Sequence, residues 1–173
     1  MPIPPNSHLK PLPGPAARAP APLLDRSNAA ALLNRGLTRF FAAHGVVSLP
    51  EVTLANGRRA DLLCFDAKSR ITIVEIKSSI EDFRCDQKWP DYLDYCDRFF
   101  FAVPEGFPQD LIPQDQGLMV ADGYGATVIR ESGDFVLNAA RRRALLMQFA
   151  QLAARRLQAL TDPDGLMTGP DSV

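Results

Sequence analysis

Hydrophobic positions change their period several times along this chain, and each change marks an element. Ala30, Leu33, Leu37, Phe40 and Phe41 recur at helical spacing. A helix is therefore expected from Asp25 or Ser27, either of which can cap it, to about Ala43. His44-Gly45 closes it, because glycine accepts the left-handed backbone that ends helices. Residues 46–54 and 58–65 read as strands joined through Asn56-Gly57, a strong hairpin signal. Residues 71–77 form a third strand. Helical sequence runs from after Ser79 to about Cys96, and Pro90 lies inside it. That segment is either one kinked helix or two short ones, the second starting near Trp89. Residues 98–103 are apolar almost without interruption, as expected of a strand covered on both faces. Shorter strands are expected at 117–121, 126–130 and 135–137, before a long helix capped by Asn138 and reaching about Leu160. The order is that of an α/β domain with a mixed sheet flanked by helices.

The ends of the chain look different. Residues 1–22 are dense in proline and alanine, which suits neither a helix nor a sheet interior, so they read as a flexible arm. Residues 23–160 form the domain, and 161–173 read as a second loose tail. A length of 173 residues allows one domain with a real core.

Charge narrows the partners. The net charge of −1 does not announce a nucleic-acid partner, so any attraction to phosphate must be local. The closing helix carries Arg141, Arg142, Arg143, Arg155 and Arg156 without an acid, and Arg58 and Arg59 stand near the hairpin tip. Cys64, Cys85 and Cys96 show no CxxC spacing and suit reduced thiols. With only His8 and His44 beside them, a Cys/His zinc cluster is not expected. No apolar run approaches the ~20 residues of a membrane helix, and no secretory leader is recognisable. A cytoplasmic location without membrane contact is expected.

The candidate chemistry sits in the third strand. Side chains alternate along a strand, so Glu75 and Lys77 emerge on one face near the end of an apolar, β-branched run. The preceding strand carries a lone acid, Asp61, between Ala60 and Leu62. If the two strands are neighbours, two carboxylates and an ammonium share one small volume. Carboxylates at that range resist joint ionisation unless a cation joins them. A hard ion such as Mg²⁺ or Mn²⁺ suits such a site, with the Ile76 carbonyl as a further oxygen ligand. Lys77 then orients or activates water, and the set is suited to phosphodiester hydrolysis. Glu51 is a candidate third acid whose position depends on the hairpin. A two-residue loop sets Val52 opposite Asp61, whereas a three-residue loop with a bulge sets Glu51 there. Downstream, Ser79 and Asp82 suit a helix cap. Asp86 suits a partner for Lys77 or Lys88. Lys88, Tyr92 and Tyr95 recur at helical spacing, and Lys88 is the expected phosphate-facing catalytic residue. Trp89 suits a core anchor.

Asp61 followed by Glu75-Ile76-Lys77 resembles the PD-(D/E)XK nuclease superfamily. The wider string is more specific: Gly57-Arg58-Arg59-Ala60-Asp61, Val74-Glu75-Ile76-Lys77-Ser78-Ser79, Asp82-Phe83-Arg84, Asp86, Lys88-Trp89, Tyr92, Cys96-Asp97 and Phe101-Ala102-Val103. It resembles the MmcB-like family of DNA-repair endonucleases over roughly residues 27–155. The resemblance implies a restriction-endonuclease-like αβββαβ core with a mixed central sheet and an added C-terminal helix. It implies metal binding by Asp61 and Glu75, catalysis by Lys77, and DNA as substrate. A homodimer and contacts with other repair proteins through the proline-rich arm are compatible partners. Many members of the superfamily add an acid from the first helix, whereas residues 29–43 contain none here. The alternative function is a non-cleaving module of the same fold that binds branched or damaged DNA. Lys77, read as a rim residue, is expected to be dispensable for folding.

Overall fold

The computed structural model describes residues 26–86 and 88–164. The elements are α1 (Arg26–Ala43), β1 (Val47–Thr53), β2 (Arg59–Phe65), β3 (Ile71–Ile76), α2 (Ile80–Cys85), α3 (Pro90–Leu93), β4 (Arg98–Pro104), β5 (Gly117–Ala121), β6 (Ala126–Arg130) and α4 (Ala139–Thr161). The strands form one sheet in chain order, β1 to β6. β3, β4 and β5 run parallel and the outer pairings are antiparallel. This is the expected mixed α/β sheet with helices on its faces and a long C-terminal helix.

α1 ends as its sequence suggests. Gly45 has φ +69°, and the amides of Gly45 and Val46 donate to the carbonyls of Ala42 and Phe41. Asp25 lies outside the described residues, and Ser27 falls within the helix rather than capping it. Pro90 divides the segment after β3 into two short helices and takes the first position of α3, where its missing N–H costs nothing. Asn138 caps α4, its side chain accepting from the amides of Ala140 and Arg141. Residues 135–137 do not form the expected strand. β4 is already paired on both edges, so Phe135 has only an isolated amide bond to the Asp97 carbonyl.

The sheet separates two apolar layers. Leu33, Leu37 and Phe41 of α1 pack on Leu62, Val74, Phe100 and Met119. On the other face, Ile71, Ile73, Phe99, Phe101 and Val103 meet Tyr92, Cys96 and Leu145. Gly36 is required where α1 crosses the β5–β6 turn, because a Cβ there would lie 1.9 Å from the Asp122 carbonyl oxygen.

Asp97 ties the second layer together. Its amide donates to the Ile71 carbonyl, its carboxylate accepts from the Ile71 amide at 2.7 Å, and Arg142 donates to both oxygens at 2.5 and 2.6 Å. Arg142 also donates to the Ser69 carbonyl, so one ion pair fixes the start of β3, the entry to β4 and α4. Burial pushes the Asp97 carboxyl up, but the Arg142 and Ile71 hydrogen bonds outweigh it and hold the group below its ordinary range. A depressed folded pKa adds stability above the unfolded value of about 3.9, and that stability is lost as pH falls through the folded pKa. Asp97→Asn is therefore expected to cost about 2 kcal/mol at neutral pH. Urea unfolding should show the gap from the wild type closing as the pH falls below about 4.

Candidate active site

The β2–β3 ladder reaches the Leu62–Val74 pair, and Asp61 and Glu75 are the next residues outward in that register. There the Asp61 side chain replaces a backbone partner: its Oδ2 accepts from the Ile76 amide at 2.8 Å. Glu75 and Lys77 point to the same face as Ile71 and Ile73, as alternation requires. Glu75 is 4% exposed and Lys77 2%. Lys77 is thus a buried cation rather than a rim residue. Its Nζ donates to Glu75 Oε1 at 3.1 Å and to Asp86 Oδ2 at 2.6 Å. An ammonium so far from water is tolerated because two carboxylates partner it.

These residues line a cavity of roughly 770 Å³ with Asp82, Glu51, Asn34 and Arg156. The lining holds five carboxylates against two cations. Burial, reinforced by the neighbouring Asp61, raises the Glu75 carboxyl well above its ordinary range, and burial raises Asp61 too. Burial opposes protonated Lys77, yet Glu75 and Asp86 outweigh it and hold the ammonium charged. Glu75 Oε2 is buried without a hydrogen-bond partner. An unpaired buried oxygen beside a second carboxylate suits a divalent cation, so the residues fit the metal that the sequence suggests. Among the described residues, no group of three or more Asp, Glu, His or Cys side chains is arranged to hold a metal.

The hairpin has the three-residue form. Leu54 and Arg58 close it through a 2.6 Å bond, leaving Ala55, Asn56 and Gly57 in the loop, with Gly57 at φ +80°. Val52 pairs with Ala60 and Pro50 with Leu62, which sets Glu51 opposite Asp61. Glu51 takes φ +51°, a strained value for a side-chain-bearing residue. Arg156 of α4 donates to the carbonyls of Pro50 and Glu51 and holds this segment. Glu51 lines the cavity but its side chain is 63% exposed, near Arg59, so it stands at the mouth.

The other expected residues divide. Ser79 caps α2 by accepting from the Asp82 amide, and the Asp82 carboxylate accepts from the Ser78 amide. Asp86 partners Lys77, as its position suggests. Lys88 is exposed and does not line this cavity; its backbone amide donates to Asp86 Oδ1. Tyr92 is buried and donates its hydroxyl to the Arg59 carbonyl, so it belongs to the core rather than to a phosphate-facing side. Trp89 stacks on Phe99 at 5.8 Å and anchors the core. Arg58 pairs with Asp91. In α4, Arg142 serves Asp97 and Arg141 lies over the Tyr95 ring, so the arginines do not act as one free patch. Two cavity residues were not singled out as ligands from the sequence: Asn34, the polar position one turn after Ala30 and Ala31, and Arg156.

Fold and cavity together define a mixed α/β domain with paired carboxylates and a buried lysine at the end of a central strand. The chain belongs to the DNA repair protein MmcB-like family, whose model matches residues 18–164. It is also similar to a solved protein of unknown function from Silicibacter pomeroyi, with 45% identity and a TM-score of 0.76. That match covers 80% of this chain and 94% of the other. No curated protein matches the chain. No helix among the described residues is long and apolar enough to cross a membrane.

The cavity also has a cost that can be measured. The folded pKa of Glu75 is raised, so the folded state holds its proton longer than the unfolded chain. Stability is then lost as pH rises from the unfolded Glu value of about 4.3 through the folded one. In EDTA, Glu75→Gln is expected to match the wild type near pH 4. As the pH rises from 4 toward 8 the difference in thermal midpoint should move in the variant's favour, because only the wild type then has to ionise a buried carboxyl.

Proposed function

We propose that this protein is a divalent-metal-dependent deoxyribonuclease of the PD-(D/E)XK type, acting in DNA repair. The observation that carries the reading is half-buried Asp61 beside buried Glu75 and Lys77 in one cavity, with a Glu75 oxygen left unpartnered. Family membership supports a role in DNA repair. Asp61, Glu75 and the Ile76 carbonyl would hold Mg²⁺ or Mn²⁺, with Glu51 at the mouth as a further acid. A bound cation supplies Lewis acidity toward phosphate and lowers the pKa of attacking water.

The chain's own residues then have distinct tasks. Asp61 is oriented by the Ile76 amide, which presents its carboxylate without a search over rotamers. Lys77, held by Asp86, offers a fixed positive charge where charge develops on a cleaved phosphodiester, and it positions water. Arg156 brings the second cation to the same cavity and serves the adjacent phosphate. Lys88 lies outside the cavity and would contact DNA beyond the scissile position.

A second reading is favoured by one observation, that among the described residues no third acid joins Asp61 and Glu75 in a group arranged to hold a metal. The same cavity would then bind branched or damaged DNA without cutting it.

Cleavage of labelled single-stranded, duplex, flap and junction DNA in Mg²⁺, Mn²⁺ or EDTA tests both. The expected result is metal-dependent cutting, reduced roughly 10²-fold or more by Glu75→Ala and by Lys77→Ala. DNA binding in EDTA with no cutting in either metal would leave the binding module standing. Because Lys77 is buried between two carboxylates, circular dichroism must show that Lys77→Ala is folded before its activity is compared.

A further inference from the structure

The β5–β6 turn, residues 122–125, carries an aromatic ring that the core does not use. Tyr124 is 78% exposed. Its backbone is nonetheless fixed. Asp122 Oδ1 accepts from the amides of Tyr124 and Gly125 at 2.7 and 2.9 Å, and Gly36 of α1 lies against the same turn. Arg35 lies over the ring, 5.7 Å from its centroid and within cation–π range. Arg35 and Arg39 both donate to the Gly123 carbonyl, and among the described residues neither is paired with a carboxylate. Each guanidinium keeps further N–H donors. Tyr124 also lines a hollow of roughly 610 Å³, whose apolar part is Val120, Ala126 and Ile129 and whose polar groups include Gln109, Thr127 and Glu105. Position ties this surface to the cavity of Glu75 and Lys77. β3, β4 and β5 are parallel, with Ile76, Ala102 and Met119 in one row. The turn after Ala121 therefore emerges from the same end of the sheet as Lys77, two strand spacings or about 10 Å to the side. α1 spans the gap: Asn34 borders the cavity, and Arg35, the next residue, reaches the turn.

We propose that Tyr124 and the hollow beside it form a subsite for an unstacked base of a single-stranded DNA segment, with Arg35 and Arg39 holding the adjoining phosphates. This rests on the reading above that the protein acts on DNA. The distribution of charge sets which part of the nucleotide goes where. The hollow is lined by Glu105 and Asp122 and by no cation, which disfavours phosphate but offers acceptors to base amino groups. The two guanidiniums stand outside it, where they suit phosphate. An exposed ring on a rigid turn stacks a base of any sequence, and a base within a duplex is already stacked on both faces. The surface therefore favours an unpaired strand over a blunt duplex.

Fluorescence anisotropy of the full chain with two labelled DNAs, in EDTA and in Ca²⁺, tests the subsite. One is a single strand of A and C only, which cannot pair with itself; the other is a blunt hairpin duplex. The wild type is expected to prefer the single strand. Tyr124→Ala should weaken single-strand binding roughly tenfold or more and narrow the preference, while Tyr124→Phe should keep both, since the ring rather than the hydroxyl stacks. Arg35→Gln combined with Arg39→Gln should weaken binding to both DNAs and flatten its dependence on salt. Tyr124→Ala should melt as the wild type does, because the ring is exposed. If the wild type prefers the duplex, or Tyr124→Ala binds the single strand as tightly as the wild type, the base subsite is overturned and the DNA reading stands. If the wild type binds neither DNA under either condition, the DNA reading itself fails and the subsite with it.

Discussion

The Lys77 ammonium, withdrawn from water between Glu75 and Asp86, is the interaction on which the cavity depends. A lone lysine at that depth would lose its proton or draw water in. Two carboxylates keep it charged, and in return it allows them to stand close together beside Asp61. The cluster draws on separate parts of the chain: β2 supplies Asp61, β3 supplies Glu75, the residue just after β3 is Lys77, and the loop after α2 supplies Asp86. The charge cluster therefore constrains where β2 ends and where α2 returns across the end of β3.

The sheet makes that return possible. β3 and β4 are parallel, so the chain must cross from the end of one to the start of the other, and α2 and α3 make the crossing. Residues that follow β3 consequently fall over its C-terminal end, where open α/β sheets form their crevices. Asp97 secures the far end of the same strand through Ile71 and Arg142. β3 is thus held by charged groups at both ends and by apolar layers on both faces, which gives the Glu75 and Lys77 side chains a rigid base.

Phosphate attraction has to be argued in this light. The arginines of α4, which look in sequence like a basic face, are partly spent on structure: Arg142 on Asp97, Arg141 on the Tyr95 ring and Arg156 on the backbone of the strained Glu51 segment. Arg156 alone of these three also borders the cavity. A carboxylate-rich lining repels phosphate, so under the proposed function Lys77, Arg156 and a divalent ion would each have to offset part of that charge.

Most of the fold and the centre of the site were legible in sequence because they depend on short-range rules. Alternation put Glu75 and Lys77 on one face, Pro90 divided the helical segment, and glycine ended α1. The apolar run at residues 98–103 required a strand paired on both sides, and that pairing left residues 135–137 no free edge on β4. What the sequence left open depends on long-range geometry. One residue in the hairpin loop decided whether Glu51 or Val52 opposes Asp61. The rotation of α1, locked by Gly36 against a turn some ninety residues away in sequence, turned Asn34 toward the cavity. The path from Asp86 into α3 left Lys88 outside and buried Tyr92. A helical or strand period says which residues share a face; only the packing of one element on another decides what that face meets.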